Sequence, residues 1–385
     1  MRRLKLYEEF SLIQEAQQKL KLNVPKDVKK LHALFKKNEK ELYIVGVAVR
    51  DALLGTTPKD FDLATDALPN EVVAIIKSGG YDTIGEVGQQ FGVVIVKTPA
   101  FREGMEIATF REDIGNGRRP DAVKYSTIDA DVLRRYLTIN ALFYDIDREE
   151  VVDLVGGIAD IQSSTIRTVG RAQERFDEDP LRKLRALRFA GRTGSRLEKN
   201  TAEAIIKDNS LEGVSPERIR DEFKKSVVSA KSTKKYLEMA EEFKLWGVMF
   251  PDININKTFI DNKNLMIQIA TLFGDNEVDT IKKRLNKLTF SNEEIDTVVF
   301  LKNLLDIKPE EIFELYKKFK TTNIDKRIIL DWSRLNRLNI RMVKAFLKYK
   351  PSTDGKTVMK DFGVKGPEVA QKIREIEAEK FRELL

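Results

Sequence analysis

The chain has 385 residues, of which 42% are hydrophobic and 34% charged, so we expect a folded protein of about two to four domains. Its net charge of +7 favours a polyanionic partner. Cysteine is absent, which excludes disulfides, cysteine–zinc sites and thiol catalysis, and the single histidine, His32, argues against a histidine-based triad or metal site. Neither a membrane-length apolar stretch nor the apolar core of a signal peptide is visible, so we expect a soluble, cytoplasmic protein with no membrane partner.

Element signals change along the chain. Residues 1–40 look like two short helices, and the second, Asp27–Asn38, carries His32. The next segment, to about residue 160, mixes strand and helix patterns, and after about residue 165 helical periodicity continues to the C-terminus. The predicted strands are Tyr43–Gly46, Asp60–Thr65, Gly92–Lys97, Met105–Phe110 and the hairpin Leu142–Asp147 with Val151–Leu154. The fold class is therefore an α/β head, a mixed sheet with helices, followed by an all-α remainder.

The most informative pattern is an Asp-x-Asp pair that follows a glycine turn. Gly46 ends a predicted buried strand and precedes a predicted helix, where exposed backbone N–H groups can meet a phosphate. Asp60 and Asp62 lie on one face of the next strand because side chains alternate, with Phe61 buried behind them. Two adjacent carboxylates repel unless a cation lies between them, and Mg²⁺ prefers carboxylate and phosphate oxygens. The pattern indicates a metal-dependent nucleotide site, although each half alone is common in ordinary strands and turns.

Two further features follow in the same segment. Glu106 is a carboxylate on an otherwise apolar strand, and it is either an edge-strand charge or a third carboxylate that assists the metals or deprotonates a hydroxyl. The stretch that begins at Phe110 and contains Arg111, Arg118 and Arg119 has two glycines and a proline. It predicts a mobile basic loop that closes over a triphosphate, or an ordinary solvated loop.

Arginine-rich segments come next. Arg134 and Arg135 precede Thr138 and Asn140 at helical spacing. Taken alone they are either a solvated charge pair, which the segment by itself favours, or phosphate ligands, because the arginine fork is planar and permanently charged. Further on, Asp179 precedes a helix on which three arginines share one face. Asp179 is either a plain N-cap or, with an arginine, a reader of bases: the carboxylate accepts from the amino group of cytosine or adenine, and the arginine donates to the adjacent ring nitrogen. The three arginines of that face are Arg182, Arg185 and Arg188.

Taken in order, these segments resemble the class II tRNA nucleotidyltransferases, or CCA-adding enzymes, and the related bacterial poly(A) polymerases, over residues 41–230. The matching motifs are Gly46 with Val49-Arg50-Asp51, Leu53-Leu54-Gly55 and Asp60-Phe61-Asp62; Arg134-Arg135-Tyr136-Leu137-Thr138-Ile139-Asn140-Ala141; Asp153-Leu154-Val155-Gly156-Gly157; Ile166-Arg167-Thr168-Val169-Gly170; Glu178-Asp179 with Arg182; and Ser215–Lys225. A later segment, Gly363–Val369, is similar to part of the family's tail.

The resemblance implies a polymerase-β-like head that adds C, C and A to a tRNA 3′ end from CTP and ATP. It assigns two Mg²⁺ ions to Asp60 and Asp62 with help from Glu106, the triphosphate to Gly46, Arg50 and Arg135, and base recognition to Asp179 and Arg182. Further nucleotide contacts are expected from Arg134, Tyr136, Asn140, Arg185 and Arg188. A poly(A) polymerase, an A-adding enzyme of the same fold and an impaired RNA-binding relative remain alternatives.

Two positions depart from the family pattern. Val47 stands where the family has a second glycine, and Tyr136 replaces an aspartate that the family uses for the ribose 2′-hydroxyl. A charged acceptor contributes roughly 1.5–3 kcal/mol and a neutral phenol roughly 0.5–1.5 kcal/mol. We therefore predict a loss of around tenfold in discrimination against deoxynucleotides.

The C-terminal part carries the predicted RNA-binding surface. Residues 316–350 contain eleven Lys or Arg but only two acidic residues, Asp325 and Asp331. Such a segment either binds the tRNA top half through its backbone or is a solvated helix face. The predicted divisions are an N-terminal extension (1–40), a nucleotidyltransferase head (41–163), a neck with the templating motif (164–232), a body (233–315) and a tRNA-binding tail (316–385).

Overall fold

The computed structural model describes residues 16–84, 91–115, 122–256, 262 and 264–385. The chain divides into two compact units, Met1–Val214 and Ser215–Leu385.

A mixed β-sheet forms the centre of the first unit. Its strands are β1 (Ala16–Lys19), β2 (Leu42–Val45), β3 (Asp62–Thr65), β4 (Asp82–Ile84), β5 (Val93–Lys97), β6 (Met105–Thr109), β9 (Phe143–Asp145) and β10 (Glu150–Asp153), whereas β7 (Arg111–Ile114) and β8 (Ala122–Tyr125) form a separate antiparallel pair. Among the described residues, the order across the sheet is β1-β10-β9-β2-β3-β6-β5-β4. In the described part of this sheet, β3 and β6 are the one parallel pair, and the other neighbouring strands are antiparallel.

Helices of the first unit cover this sheet and continue beyond it. They are α1 (Lys26–Lys37), α2 (Val47–Leu53), α3 (Pro69–Ser78), α4 (Ile128–Arg134), α5 (Gly157–Gln162), α6 (Ala172–Glu178), α7 (Leu181–Thr193) and α8 (Lys199–Lys207). Helix α1 forms because Val28, Leu31 and Phe35 recur at helical spacing, and all three are buried in the main hydrophobic core. Strand residues such as Ile44, Leu63 and Ile107 complete that core.

The predicted fold class is confirmed, with local corrections. The predicted helix Asp27–Asn38 is observed as α1, and the predicted strands of the head are observed with ends that differ by a few residues. In the N-terminal region, however, Ala16–Lys19 is a strand that pairs antiparallel with β10. Strand structure also extends past residue 165, because β11 (Thr165–Ile166) pairs in parallel with β12 (Arg196–Leu197).

The described part of the second unit is helical. Its helices are α9 (Pro216–Ser229), α10 (Thr233–Glu242), α11 (Leu245–Met249), α12 (Leu265–Leu272), α13 (Val278–Lys287), α14 (Asn292–Asn303), α15 (Ile312–Thr322), α16 (Lys326–Leu335), α17 (Ile340–Lys348), α18 (Gly355–Phe362) and α19 (Pro367–Glu383). Phe250 lies at the centre of an aromatic cluster, with ring centroids 4.6 Å from Trp246 and 4.7 Å from Phe223. Within the described residues, every helix is too short or too polar to cross a bilayer.

A buried carboxylate organises the C-terminal helices. Glu377 of α19 has no exposed surface. It accepts hydrogen bonds from the Tyr349 hydroxyl (2.7 Å) and from the backbone N–H groups of Ser352 (3.1 Å) and Thr353 (2.7 Å). Because its two oxygens bind separate donors, Glu377 fixes the connection between α17 and α18 against α19.

Candidate active site

Three predicted catalytic carboxylates lie at one end of neighbouring strands. Asp62 is the first residue of β3 and pairs with Val45, the residue before the Gly46 turn. Leu63 pairs in parallel with Ile107, so the register sets Asp62 beside Glu106. Asp60 and Asp62 are exposed and Phe61 is buried, which confirms the predicted alternation even though the strand begins only at Asp62.

The electrostatic environment of Asp62 is unusual for a surface aspartate. Surrounding protein atoms weaken the hydration of its carboxylate, and the negative charges of Glu106 and Asp60 add to this effect. Together they raise the pKa of Asp62 to about 6, although Arg135 opposes the shift. Among the described residues, no set of three or more His, Cys, Asp or Glu side chains lies close enough together to complete a metal site. Asp62 nevertheless feels the negative charges of Glu106 and Asp60, so negative charge accumulates at this end of the two strands.

Next to these carboxylates is the Gly46 turn. Gly46 precedes α2 with φ of 73° and ψ of −121°, a backbone conformation that glycine adopts readily and other residues avoid. A Cβ atom built at this position would lie 3.7 Å from the Asn140 carbonyl oxygen and 4.0 Å from Nη1 of Arg135. The turn, Arg135 and Asp62 are thus neighbours, as the predicted phosphate site requires.

Arg134 and Arg135 share one buried partner, Asp131. Nε of Arg134 donates to Oδ1 of Asp131 (2.8 Å), and Nε of Arg135 donates to Oδ2 (3.0 Å). Asp131 was not predicted as a site residue, although its spacing of three and four residues from the two arginines is a signal for such pairs. The helical spacing of this motif does not produce one continuous helix: α4 ends at Arg134, Arg135 is extended, and a short 3₁₀-helix covers Thr138–Asn140.

Arg50 does not face the phosphate site in this structure. Its side chain has no exposed surface. Its Nε and Nη2 donate to Oδ1 of Asp51 (2.9 and 2.6 Å), and its Nη1 donates to Oδ1 of Asn140 (2.6 Å). The guanidinium also lies over the Phe189 ring, 5.1 Å from its centroid. Arg50 and Asn140, both predicted to bind nucleotide, are thus bonded to each other inside the protein.

The predicted base-reading residues lie at the junction of α6 and α7. Pro180, rather than Asp179, occupies the N-cap position of α7, but Oδ1 of the buried Asp179 accepts from the Leu181 N–H (3.2 Å). Arg182 is partly exposed and its Nη1 donates to the Arg175 carbonyl oxygen (3.1 Å) and to Glu178. Asp179 thus bonds an N–H group in the first turn of α7, as a capping residue does, although the N-cap lies one residue later than predicted. Arg182 directly follows Leu181, whose N–H donates this bond.

The arginine face of α7 is confirmed. Arg185 and Arg188 are partly exposed, as is Arg182, while the residues between them are buried. Arg188 lies over the Phe189 ring, 4.3 Å from its centroid. On the same helix, Nη2 of Arg192 donates to Oδ2 of Asp51 (3.2 Å), which connects α7 to α2.

The predicted basic loop is only partly described. Arg111 lies on β7, where its Nε donates to Asp113 (2.9 Å) and its Nη1 to the Phe91 carbonyl oxygen. The predicted loop residues Arg118 and Arg119 lie outside the described residues. The flanking strands β7 and β8 pair from Arg111 with Tyr125 to Ile114 with Ala122.

Comparison with known proteins assigns the chain to a family. The family description "Poly A polymerase head domain" matches residues 42–167, and "Probable RNA and SrmB- binding site of polymerase A" matches residues 195–256. A CCA-adding enzyme of Lactobacillus johnsonii is 34% identical over 72% of this chain and 71% of that protein. The chain belongs to the CCA-adding enzyme family. A CCA-adding enzyme of Ligilactobacillus salivarius is 32% identical over 78% of this chain and 69% of its own length.

A further relative and two solved structures are also similar to this chain. The CCA-adding enzyme of Bacillus velezensis is 43% identical, but the match spans only about half of each protein, 52% of this chain and 50% of the relative. The fold matches the crystal structure of Bacillus stearothermophilus CCA-adding enzyme in complex with CTP, with a TM-score of 0.66 and 24% identity over 92% of both chains. It also matches the Thermotoga maritima CCA-adding enzyme complexed with tRNA, with a TM-score of 0.65 and 19% identity over 95% of both chains. These structural matches confirm the predicted fold.

Proposed function

We propose that this protein adds C, C and A to the 3′ end of tRNA from CTP and ATP, without a nucleic-acid template, and releases pyrophosphate. The observation that supports this most directly is the convergence of Asp60, Asp62 and Glu106 with the Gly46 turn and Arg135 in a member of the CCA-adding enzyme family. Nucleotidyl transfer requires that set: carboxylates for divalent cations and cationic donors for a triphosphate. Because its substrate would be tRNA, we expect the enzyme to act in the cytoplasm.

The carboxylates fit divalent cations by their chemistry. The raised pKa of Asp62 means that its negative charge is poorly compensated by the protein alone, and a bound cation would compensate it. We propose that Asp60 and Asp62 hold two Mg²⁺ ions and that Glu106 assists them. When bound, the metals would lower the pKa of the attacking tRNA hydroxyl and stabilise charge on the leaving group.

Other residues would bind and orient the substrates. Arg135, held by the buried Asp131, points its guanidinium towards the Gly46 turn, where it would bind the triphosphate of the incoming nucleotide. Arg182 would donate to the ring nitrogen of cytosine or adenine, and Asp179 would accept from the adjacent amino group after release from its capping bond. The division into neck (164–232), body (233–315) and tail (316–385) remains part of this proposal, with the tail as the tRNA-docking region.

Incubating the protein with tRNA that lacks its CCA end tests the proposal. CTP alone should add two nucleotides, CTP with ATP should add three, and ATP alone should add none to this acceptor. Repeated A addition to this acceptor would instead favour a poly(A) polymerase, the name carried by the matched head-domain description. Incorporation by neither nucleotide, with tRNA still bound, would favour an inactive RNA-binding relative.

Carboxylate variants then test the assigned site. Asp60→Asn and Asp62→Asn should abolish incorporation and leave tRNA binding largely intact, because the metals would bind at the head and not on the tail. Asp82→Asn removes an exposed carboxylate from β4 and serves as the matched control with unchanged turnover. Retained turnover in either site variant would contradict the assignment of the metals.

A further inference from the structure

Tyr136 occupies a position from which both its main chain and its side chain reach other elements of the first unit. Its carbonyl oxygen accepts from the Val169 N–H (2.9 Å), and the next residue, Leu137, forms a β-bridge with Thr168. The main chain of Tyr136 is therefore fixed against the segment that leads into α6. Because the main chain is held in place, the direction in which the Tyr136 side chain extends is also restricted.

The side chain ends on helix α7. The Tyr136 ring packs against the buried Phe176 of α6, with centroids 6.4 Å apart and planes at 59°. Its hydroxyl donates a hydrogen bond to the carbonyl oxygen of Arg182, in the first turn of α7. One side chain thus connects the motif that carries Arg135 to the helix that carries the base-reading arginine.

The guanidinium of Arg182 lies against the same ring. Its Cζ is 5.5 Å from the centroid of the Tyr136 ring, within the range of a cation–π contact. Nη1 is held by the Arg175 carbonyl oxygen and by Glu178. Among the described residues, Nε and Nη2 of Arg182 make no hydrogen bond, so one edge of the planar group is held while the other can meet a base.

We propose that Tyr136 is a positioning residue for base selection and that it acts through Arg182. The hydroxyl holds the main chain of Arg182 and the ring supports its guanidinium, so the free edge is presented in one orientation. An aspartate at this position has no ring and a much shorter side chain, and would make neither contact. This inference rests on the proposed function and reverses the sequence-based expectation for Tyr136, because it links the residue to the base rather than to the ribose.

Tyr136→Phe is the first test, because it removes the hydroxyl and keeps the ring. On tRNA lacking its CCA end, we expect the ratio of kcat/KM for CTP over UTP to fall about three- to tenfold, the effect of losing one hydrogen bond. The ratio for CTP over dCTP should stay unchanged. Tyr136→Leu, which also removes the ring, should lower the CTP over UTP ratio further. Tyr81→Phe removes the hydroxyl of another partly buried tyrosine of the first unit and should change neither ratio.

A double-mutant cycle separates positioning from a general loss of stability. If Tyr136 acts through Arg182, then Tyr136→Phe should have no further effect on base selectivity in an Arg182→Ala background. A merely structural role would lower stability and turnover equally in both backgrounds, with base selectivity unaffected. Equal effects of Tyr136→Phe on selectivity in the two backgrounds would therefore overturn the proposal.

Two outcomes distinguish this inference from the proposed function. A wild-type protein that adds neither nucleotide to tRNA would reject the proposed function alone, and the preference for CTP over UTP in equilibrium binding without tRNA would then test Tyr136. A wild-type enzyme that is active and whose Tyr136→Phe variant keeps full base selectivity would reject the inference alone. A fall in the CTP over dCTP ratio without a change in base selectivity would likewise overturn it and restore the ribose role.

Discussion

Arg50 carries a buried positive charge whose removal should destabilise the first unit. Its guanidinium is bonded to Asp51 and Asn140 and has no exposed surface. Arg50→Ala would leave Asp51 without this partner and create a cavity beside Phe189. We expect a loss of about 3–5 kcal/mol in the free energy of unfolding, the usual effect of breaking a buried ion pair, measured by urea denaturation.

A surface pair provides the control for this variant. Arg148 is largely exposed and lies 3.7 Å from Asp145, so Arg148→Ala should change the free energy of unfolding by less than about 1 kcal/mol. If Arg50→Ala were as stable as the wild type and instead raised KM for CTP, Arg50 would bind the triphosphate as the sequence predicted.

Gly46 carries a backbone conformation that other residues avoid. With φ of 73° and ψ of −121°, an alanine would be strained by about 1–3 kcal/mol, although the nearest heavy atom to the new Cβ would be 3.7 Å away. Gly46→Ala should therefore lower the free energy of unfolding by this amount. Gly247 lies within α11 with no heavy atom near its Cβ position, so Gly247→Ala should be neutral or stabilising. Equal stability of the two variants would contradict the strain argument.

The placement of single site residues could be predicted where a local sequence pattern determines which way a side chain points. The alternation along Asp60-Phe61-Asp62 correctly predicted that both carboxylates are exposed, because the burial of Phe61 places its two neighbours on the opposite face. The role of Arg50 was not predictable in this way. Arg50 is turned inward partly by Asn140, which lies 90 positions along the chain and meets Arg50 only in the folded protein.

At the scale of elements, helix α1 holds the only histidine of the chain near a turn of the sheet. Nε2 of His32 lies 3.7 Å from Oδ2 of Asp147, which also accepts from Lys36 (2.8 Å). Burial lowers the pKa of His32 below its ordinary value of 6.5 and Lys36 lowers it further, while the charges of Asp147 and Asp145 oppose them. Because the folded state disfavours the proton, the stability that His32 contributes above pH 6.5 is lost as the pH falls through its folded pKa.

Asp147→Asn tests this arrangement directly. Removing the carboxylate that raises the pKa of His32 should lower that pKa further, which the imidazole Cε1–H shift in an NMR titration would measure. One histidine gives one titrating signal, so no assignment is needed. Asp82→Asn, at the other edge of the sheet, should leave the titration unchanged. A pKa that rises in Asp147→Asn would contradict the electrostatic account.

Helices and strands could be predicted where the hydrophobic period and the length of the segment indicated the same element. The prediction failed where hydrogen bonds to a distant segment determine the conformation. Strand β1 contains Ala16-Gln17-Gln18-Lys19, which has no strand pattern and forms by pairing with β10. The segment after Arg134 has helical spacing, yet it unwinds because Thr138 donates its N–H to Arg167 and Tyr136 accepts from Val169. Such partners lie about 30 residues away, beyond the range of a periodicity argument.

At the scale of the whole molecule, charge is distributed unevenly. All eleven Lys and Arg residues of the segment 316–350 are exposed. Three of them pair with acidic residues, namely Lys317 with Glu314, Arg327 with Asp325 and Arg334 with Asp331. Within the part of the chain that the structure describes, the others form no ion pair, so their charge is available to a polyanion.

The affinity for tRNA should therefore fall steeply with salt, and the slope should depend on this segment. Each phosphate contact contributes roughly 0.7–0.9 to the slope of log affinity against log salt concentration. Replacing Arg337, Arg341 and Lys344 by Gln should therefore reduce the magnitude of the slope by about 2 to 3, measured by filter binding at several salt concentrations. The control replaces Lys282, Lys283 and Lys287 of α13, which are also exposed, and changes the net charge equally. An equal reduction in both triple variants would mean that net charge, rather than this segment, sets the affinity for tRNA.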